Sequence, residues 1–375
     1  MPALLDTVDP KGLEEFSVVF TDRSLNHMSA VFGQVMRDIS GMLKDVYNAD
    51  AIALIPGGGT FAMEAVARQF GKDAKVLVVR NGWFSYRWSQ ILETGGISAS
   101  ATVMKARQTG NANPSPFAPA PIDEVVAAIC ESRPAMVFAP HVETSSGVIL
   151  PDDYITAMAA AAHEVGALMV LDCIASGCVW VDMAATGVDV LISAPQKGWS
   201  ASPSAGLVMM SARAEARLEE TNSDSFSIDL KKWRQIMVAF ENGGHAYHAT
   251  MPTDALRAFR DTMLETREYG FEKLRDAQWA LGNGVRAMLA DKGVTSVAAE
   301  GYGAPGVVVS YTTDGDIQNG KKFAALGMQI AAGVPLKCDE PADFQTFRLG
   351  LFGLDKLYDV DATLGRLKTV LDQVL

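Results

Sequence analysis

The chain has 375 residues, 49% of them hydrophobic and 20% charged, with a formal net charge of −12; this suits one large or two ordinary domains that bury a core, and argues against a nucleic-acid partner, which needs clustered Lys and Arg. No apolar run reaches membrane-spanning length, and the first residues lack a basic start and an apolar signal core. Cys130, Cys173, Cys178 and Cys338 have no zinc-like pairing, so we expect a cytoplasmic chain with reduced thiols, no metal and no membrane contact.

Short apolar runs alternate with helix-like stretches from residue 51 to 211: AIALI at 51–55, KVLVVR at 75–80, AMVFAP at 135–140, ALMVLD at 167–172, VDVLIS at 188–193 and GLVMMS at 206–211. The alternation predicts an α/β unit with a mostly parallel sheet and helices on both faces, its active residues at the carboxyl ends of strands. Behind the first run, Ile55-Pro56-Gly57-Gly58-Gly59-Thr60 opens a helix on which Met63, Val66, Ala67 and Phe70 recur at i, i+3, i+4 and i+7. Free N–H groups at such a helix start attract a phosphate. A plain tight turn also accounts for the glycines, and neither the GxGxxG nor the P-loop spacing is present.

Residues 111–123, rich in Pro and small residues, predict an exposed loop before a helix at 122–132. A further helix near 152–165 starts behind Pro151-Asp152-Asp153, where acidic residues suit a helix N-terminus. The pattern from 253 to 291 is continuously helical and leads into GVVVSYT, a helix near 316–326, FRLGLF and a helix at 355–374. This predicts a large domain over 1–262 and a smaller α+β domain over 263–375.

Two strand ends carry candidate chemistry. Asp172 closes ALMVLD, where a carboxylate either caps the next turn or serves at the sheet's functional edge. The run VDVLIS leads into Ala194-Pro195-Gln196-Lys197-Gly198, and Lys197 stands among small and apolar residues without a neighbouring charge. In such a setting a lysine amine is kept neutral and nucleophilic.

Taken together, these motifs resemble the class V aminotransferases, pyridoxal 5′-phosphate (PLP) enzymes of fold type I, and in particular the alanine:glyoxylate, serine:glyoxylate and 2-aminoethylphosphonate types. The resemblance spans about residues 24–353. It implies Lys197 as the Schiff-base lysine, Gln196 as a phosphate ligand and Asp172 as partner of the pyridine nitrogen, which must stay protonated for the ring to accept electrons. Ile174 is then expected on one ring face and Phe84, from Asn81-Gly82-Trp83-Phe84, on the other. Gly58-Gly59-Thr60 matches the phosphate turn, and in His141-Val142-Glu143-Thr144-Ser145-Ser146-Gly147 the Ser145 hydroxyl is expected near the ring oxygen or the phosphate. Tyr247 and Thr250 resemble an element that reaches the neighbouring subunit's phosphate, which implies a homodimer. Arg348 resembles the arginine that pairs with a substrate carboxylate.

The implied reaction moves an amino group from an alanine- or serine-type donor to glyoxylate or pyruvate by a ping-pong route, with 2-aminoethylphosphonate as the alternative donor. A desulfurase using Cys338, or a non-catalytic binding protein on the same fold, are the remaining readings. The segment FSVVFTDRSLNHMS departs from the family's usual Pro-Gly-Pro start, and Cys173 and Gly177 depart from its pattern after the aspartate.

Overall fold

The computed structural model describes residues 8–111 and 114–375. The chain enters through α1 (Ala30–Tyr47), started by Ser29, whose hydroxyl accepts the Phe32 N–H at 3.0 Å, and closed by Asn48 in the left-handed region. Strands and helices then alternate as β1 (Ala51–Pro56), α2 (Gly59–Phe70), β2 (Lys75–Arg80), α3 (Trp83–Thr94) and β3 (Ser100–Lys105). The short strands β4 (Arg107–Gln108) and β5 (Phe117–Ala118) pair with each other before α4 (Ile122–Ser132) and β6 (Met136–Pro140). A small hairpin of β7 (Val142–Glu143) and β8 (Val148–Ile149) precedes α5 (Asp152–Glu164) and β9 (Leu168–Asp172). After α6 (Met183–Thr186) come β10 (Val190–Ser193), β11 (Ala205–Met210), α7 (Ala212–Glu220) and α8 (Leu230–Glu241).

Seven strands form one sheet in the order β1-β11-β10-β9-β6-β2-β3. All neighbours run parallel except β11, which is antiparallel to both β1 and β10. This is the mostly parallel α/β sheet read from the sequence. The central strands β6, β9, β10 and β11 are buried along their whole length, as strands covered on both faces must be. Edge strand β3, half of it exposed, carries no continuous apolar run and so escaped the sequence reading.

The 253–291 stretch is two helices, α9 (Thr253–Tyr269) and α10 (Phe271–Asp291), not one. They break at Gly270, whose φ of 107° lies outside the helical range and suits glycine alone. Beyond them come β12 (Val307–Tyr311), α11 (Gly315–Gln318), α12 (Lys321–Ala325), β13 (Ala331–Ala332), β14 (Thr346–Gly350), α13 (Leu354–Leu357) and α14 (Val360–Val374). The helix expected near 316–326 is thus divided, at Gly320 with φ 83°, and the one at 355–374 restarts at Asp359, whose carboxylate caps the Ala362 N–H. Strands β12, β14 and β13 make a separate antiparallel sheet. It shares an apolar cluster with α10 and α14, in which Leu274, Leu281, Phe347 and Leu371 are fully or nearly fully buried.

Of the expected loop over 111–123, residues 112 and 113 lie outside the described residues, and the part from 114 on is not simply exposed. Phe117 is buried beside Val142 and Val297, and its N–H donates to the Val297 carbonyl at 2.7 Å. Among the described residues no helix is long and apolar enough to cross a membrane.

Candidate active site

The loops after β1, β2, β6, β9 and β10 meet at the carboxyl edge of the large sheet around a cavity of about 220 Å³. Gly59, Thr60, Phe84, Asp172, Ile174, Gln196 and Lys197 all line it, together with Met63, Arg87, Val142, Thr144 and Ala175. Residues spread over 139 positions of sequence are thus gathered by strand order alone, as parallel sheets do at their carboxyl ends. A larger cleft of about 410 Å³ beside β3 and β4 offers no comparable chemistry, since its Lys105 is engaged by Asp339 at 2.7 Å.

Close backbone approach shapes the walls. A Cβ on Gly59 would stand 2.3 Å from the Ile174 side chain, so only glycine there lets Ile174 lie over the start of α2. Gly58 is the N-cap of α2 and brings no side-chain acceptor, which leaves the first helical N–H groups to an outside ligand. A Cβ on Gly198 would meet the Gly177 carbonyl at 2.1 Å, and Gly177 itself has φ 67°. The loop carrying Lys197 therefore packs backbone to backbone on the loop that follows Asp172, a contact that requires glycine at 198. Gly177, a departure noted in the sequence, is required by its own left-handed backbone and by Gln278, whose Oε1 a Cβ there would meet at 2.7 Å.

Asp172 and Lys197 stand at the ends of adjacent parallel strands, β9 and β10. The Asp172 carboxylate accepts the Ile174 N–H at 2.9 Å. Burial pushes its pKa up to about 7; that hydrogen bond and the Arg87 charge oppose the shift, and the Glu143 charge adds to it. Lys197 Nζ lies 5.1 Å from the centre of the Phe352 ring. Burial lowers its pKa, and the Arg348 charge lowers it further. Neither group has an ion-pair partner among the described residues. Nearby His141 is held neutral, its pKa lowered to about 4 by burial, with Nδ1 2.7 Å from the Ser176 hydroxyl.

Phe84 reaches the cavity because Glu143 holds the first turn of α3. The Glu143 carboxylate, fully buried, accepts the N–H groups of Phe84 at 3.1 Å, Ser85 at 2.8 Å and Ser145 at 3.0 Å, and the hydroxyls of Ser85 at 2.6 Å and Ser145 at 2.7 Å. Five donors, two of them at a helix N-terminus, stand in for a cation. Gly82 is obligatory here, since a Cβ would lie 2.1 Å from Ser145 Oγ. The Ser145 hydroxyl also accepts the Trp83 N–H at 2.8 Å and does not line the cavity. Thr144 stands on the wall instead, because the buried carboxylate claims its neighbour's hydroxyl.

Two arginines flank the Phe84 ring. The Arg348 guanidinium carbon, from β14 of the other sheet, is 5.6 Å from the ring centre, and that of Arg87 is 5.3 Å away. Arg348 Nε donates to the Ala332 carbonyl at 2.8 Å, and no carboxylate pairs with it among the described residues. Arg87 and Glu143 were missed by sequence reasoning. The helical spacing of Arg87 to Phe84, i to i+3, was the available signal for Arg87. Tyr247 and Thr250 do not line the cavity of the single chain. Both are exposed, with their hydroxyl oxygens 3.0 Å apart.

The residues fit PLP. The cavity offers a buried carboxylate with no cation, which a pyridinium N–H satisfies, and an unpaired amine for the aldehyde. Gln196 lines the cavity with an amide N–H that can donate to a phosphate, and the open start of α2 suits the same group.

Comparison with known proteins agrees. The model of the family described as Aminotransferase class-V matches residues 13–305. A 2-aminoethylphosphonate–pyruvate transaminase of Syntrophobacter fumaroxidans is 28% identical over 336 residues, covering 86% of this chain and 84% of the relative. The Burkholderia thailandensis protein of the same name is 29% identical over 273 residues, 69% of this chain and 68% of the relative. In architecture the chain is similar to the alanine–glyoxylate aminotransferase of a Nostoc species, with TM-score 0.76, 22% identity and coverage of 93% and 89%. The aspartate aminotransferase of subgroup IV from Thermus thermophilus gives TM-score 0.76, 24% identity and 94% of each chain.

Proposed function

Since the chain belongs to the class V aminotransferases, PLP-dependent enzymes of fold type I, we propose that it moves an amino group from a small alanine- or serine-type donor to glyoxylate or pyruvate by a ping-pong route. One observation carries the assignment of residues: Lys197 and Asp172, both without an ion-pair partner among the described residues, face one cavity from adjacent strands.

The bound cofactor supplies an electron sink for the carbanion formed at the donor carbon. Lys197 anchors the cofactor through its aldehyde. With the cofactor bound, the Lys197 amine would act at Nζ as the base that takes the donor's α-proton and as the acid that gives it back. Burial and the Arg348 charge both keep that amine neutral, the state the step needs. Asp172 holds the proton on the pyridine nitrogen. Ile174 and Phe84 hold the ring between them and exclude water from its faces. Thr60, Gly58, Gly59 and Gln196 would take the phosphate, and Thr144, which lines the cavity where Ser145 does not, would stand beside the ring oxygen. Arg348 seats the substrate's acid group in its planar fork.

2-Aminoethylphosphonate is the second reading for the donor, favoured by the relatives that share 28–29% of this sequence. A guanidinium fork accepts a phosphonate as readily as a carboxylate. Desulfurase chemistry is disfavoured: Cys338 is buried, its Sγ donates to the Arg80 carbonyl at 3.4 Å, and burial pushes its thiol up to about 12.

A homodimer and a cytoplasmic location belong to the same proposal, as does a division of the chain at about residue 262. Leu13, Phe16, Val18, Phe61, Phe226 and Tyr247 are exposed apolar side chains. Of these, Phe61 follows Thr60 directly, so it stands exposed beside the phosphate turn, where a second copy's Tyr247 and Thr250 would enter.

The test is the visible spectrum of the purified protein with alanine, serine, 2-aminoethylphosphonate and cysteine added singly. A yellow protein that bleaches with one donor, releases an oxo product and recovers its colour with glyoxylate or pyruvate supports the proposal. A protein that stays colourless after PLP is added refutes the assignment of Lys197.

A further inference from the structure

We infer that Arg87 is a ligand of the cofactor's phosphate and supplies the full positive charge that the Gly58–Gly59–Thr60 turn lacks. The inference rests on the reading of that turn as the phosphate site.

Arg87 lines the cavity one helical turn after Phe84, with its guanidinium carbon 5.3 Å from the centre of the Phe84 ring. Its Nη1 donates to Thr60 Oγ1 at 3.0 Å. That bond fills one acceptor site on the threonine and leaves the hydroxyl proton free for an oxyanion, while the remaining guanidinium N–H groups stay available. No carboxylate pairs with Arg87 among the described residues. Arg68, on the neighbouring helix α2, shows the contrast, because Glu64 and Asp224 hold it at 2.8 and 2.9 Å.

A phosphate here carries close to two negative charges, and a helix start offers about half a compensating charge. Lys197 is committed to the aldehyde, and Arg348 enters from the other sheet. Arg87 is the cation already bonded to the phosphate turn, and its planar fork suits two phosphate oxygens at once.

Apo-protein titrated with PLP and with pyridoxal, which lacks the phosphate, tests this independently of turnover. Arg87→Gln is expected to lose about ten- to hundredfold in PLP affinity, the range for hydrogen bonds to charged groups, with pyridoxal affinity held within about twofold and Arg87→Lys in between. Apo unfolding temperatures of the three proteins should coincide. If the variant weakens both ligands equally, or neither, Arg87 is not a phosphate ligand. A rise in KM for 2-aminoethylphosphonate at unchanged PLP affinity would overturn the inference by placing the guanidinium on the substrate. Wild-type protein that binds PLP and pyridoxal alike would instead remove the phosphate turn itself, a failure distinct from that of Arg87.

Discussion

Glu143 Oε2 accepts two hydrogen bonds from one residue, the Ser85 N–H at 2.8 Å and the Ser85 hydroxyl at 2.6 Å. The bonds fasten the loop after β6 to the first turn of α3, the turn that carries Phe84 and Arg87.

Glu143→Ala should therefore act on stability and on the cofactor together. It strands buried N–H groups of Phe84, Ser85 and Ser145, at a cost of about 2–4 kcal/mol after partial rescue by water. Urea unfolding of the apo-protein measures the first effect and PLP titration the second. Glu143→Gln, which keeps one oxygen, should fall between. A variant with wild-type stability would mean that α3 is held by something else.

Lys197→Ala should remove the yellow colour and lower turnover by more than about 10³-fold, the scale of a lost acid–base group. Its stability should hardly change, because the amine has no ion-pair partner to lose among the described residues. Spectra and half-reaction rates of the variant are the check, and preserved turnover would exclude Lys197 from the chemistry.

Arg348→Ala is expected to weaken binding of acidic substrates by about 2–5 kcal/mol, toward the lower end because the side chain is only half buried. The same change removes a positive charge that lowers the Lys197 pKa. The acidic limb, where that amine becomes protonated and can no longer take a proton, should then move to higher pH. Unchanged KM values together with an unchanged pH profile would contradict both roles.

Asp172 makes a prediction about acid and base stability of the apo-protein. Its folded pKa of about 7 lies above the ordinary value of 3.8, so the stability it contributes is complete below about pH 4 and is lost as pH rises toward 7. His141 has the opposite sign: its contribution is present above its ordinary 6.5 and is lost as pH falls toward 4. Comparison with Asp172→Asn cancels the histidine. The variant should gain on the wild type, by a few kcal/mol on the order implied by burial, between pH 4.5 and 7.5. Parallel stability curves would mean that the carboxylate has a cation partner in solution.

Most of the sheet could be read from the sequence because fully buried strands must be continuously apolar, as AIALI, ALMVLD and VDVLIS are. Strand β3 could not, since an exposed edge strand shows no such run. Asp172 and Lys197 announced themselves by standing at strand ends beside apolar residues. Glu143 did not, because nothing in a linear sequence tells a buried carboxylate held by helix N–H groups from a solvated one. The sequence pointed to Ser145 alone, and that same carboxylate holds the Ser145 hydroxyl off the cavity wall, where Thr144 stands. Gly270 was passed over because a single glycine is tolerated inside a helical pattern. Tyr247 and Thr250 remain apart from the cavity of one chain, as residues whose proposed task lies in another subunit would be.

Arg348 belongs to the three-stranded sheet, whereas Asp172 and Lys197 end strands of the seven-stranded one. The proposed anchor for the substrate's acid group and the proposed groups that handle its proton thus belong to separate sheets of the architecture. Drift or engineering within β12 to β14 could retune which acid the protein accepts while the proton-handling pair stays intact, a division that makes this scaffold easy to diversify in substrate and hard to diversify in chemistry.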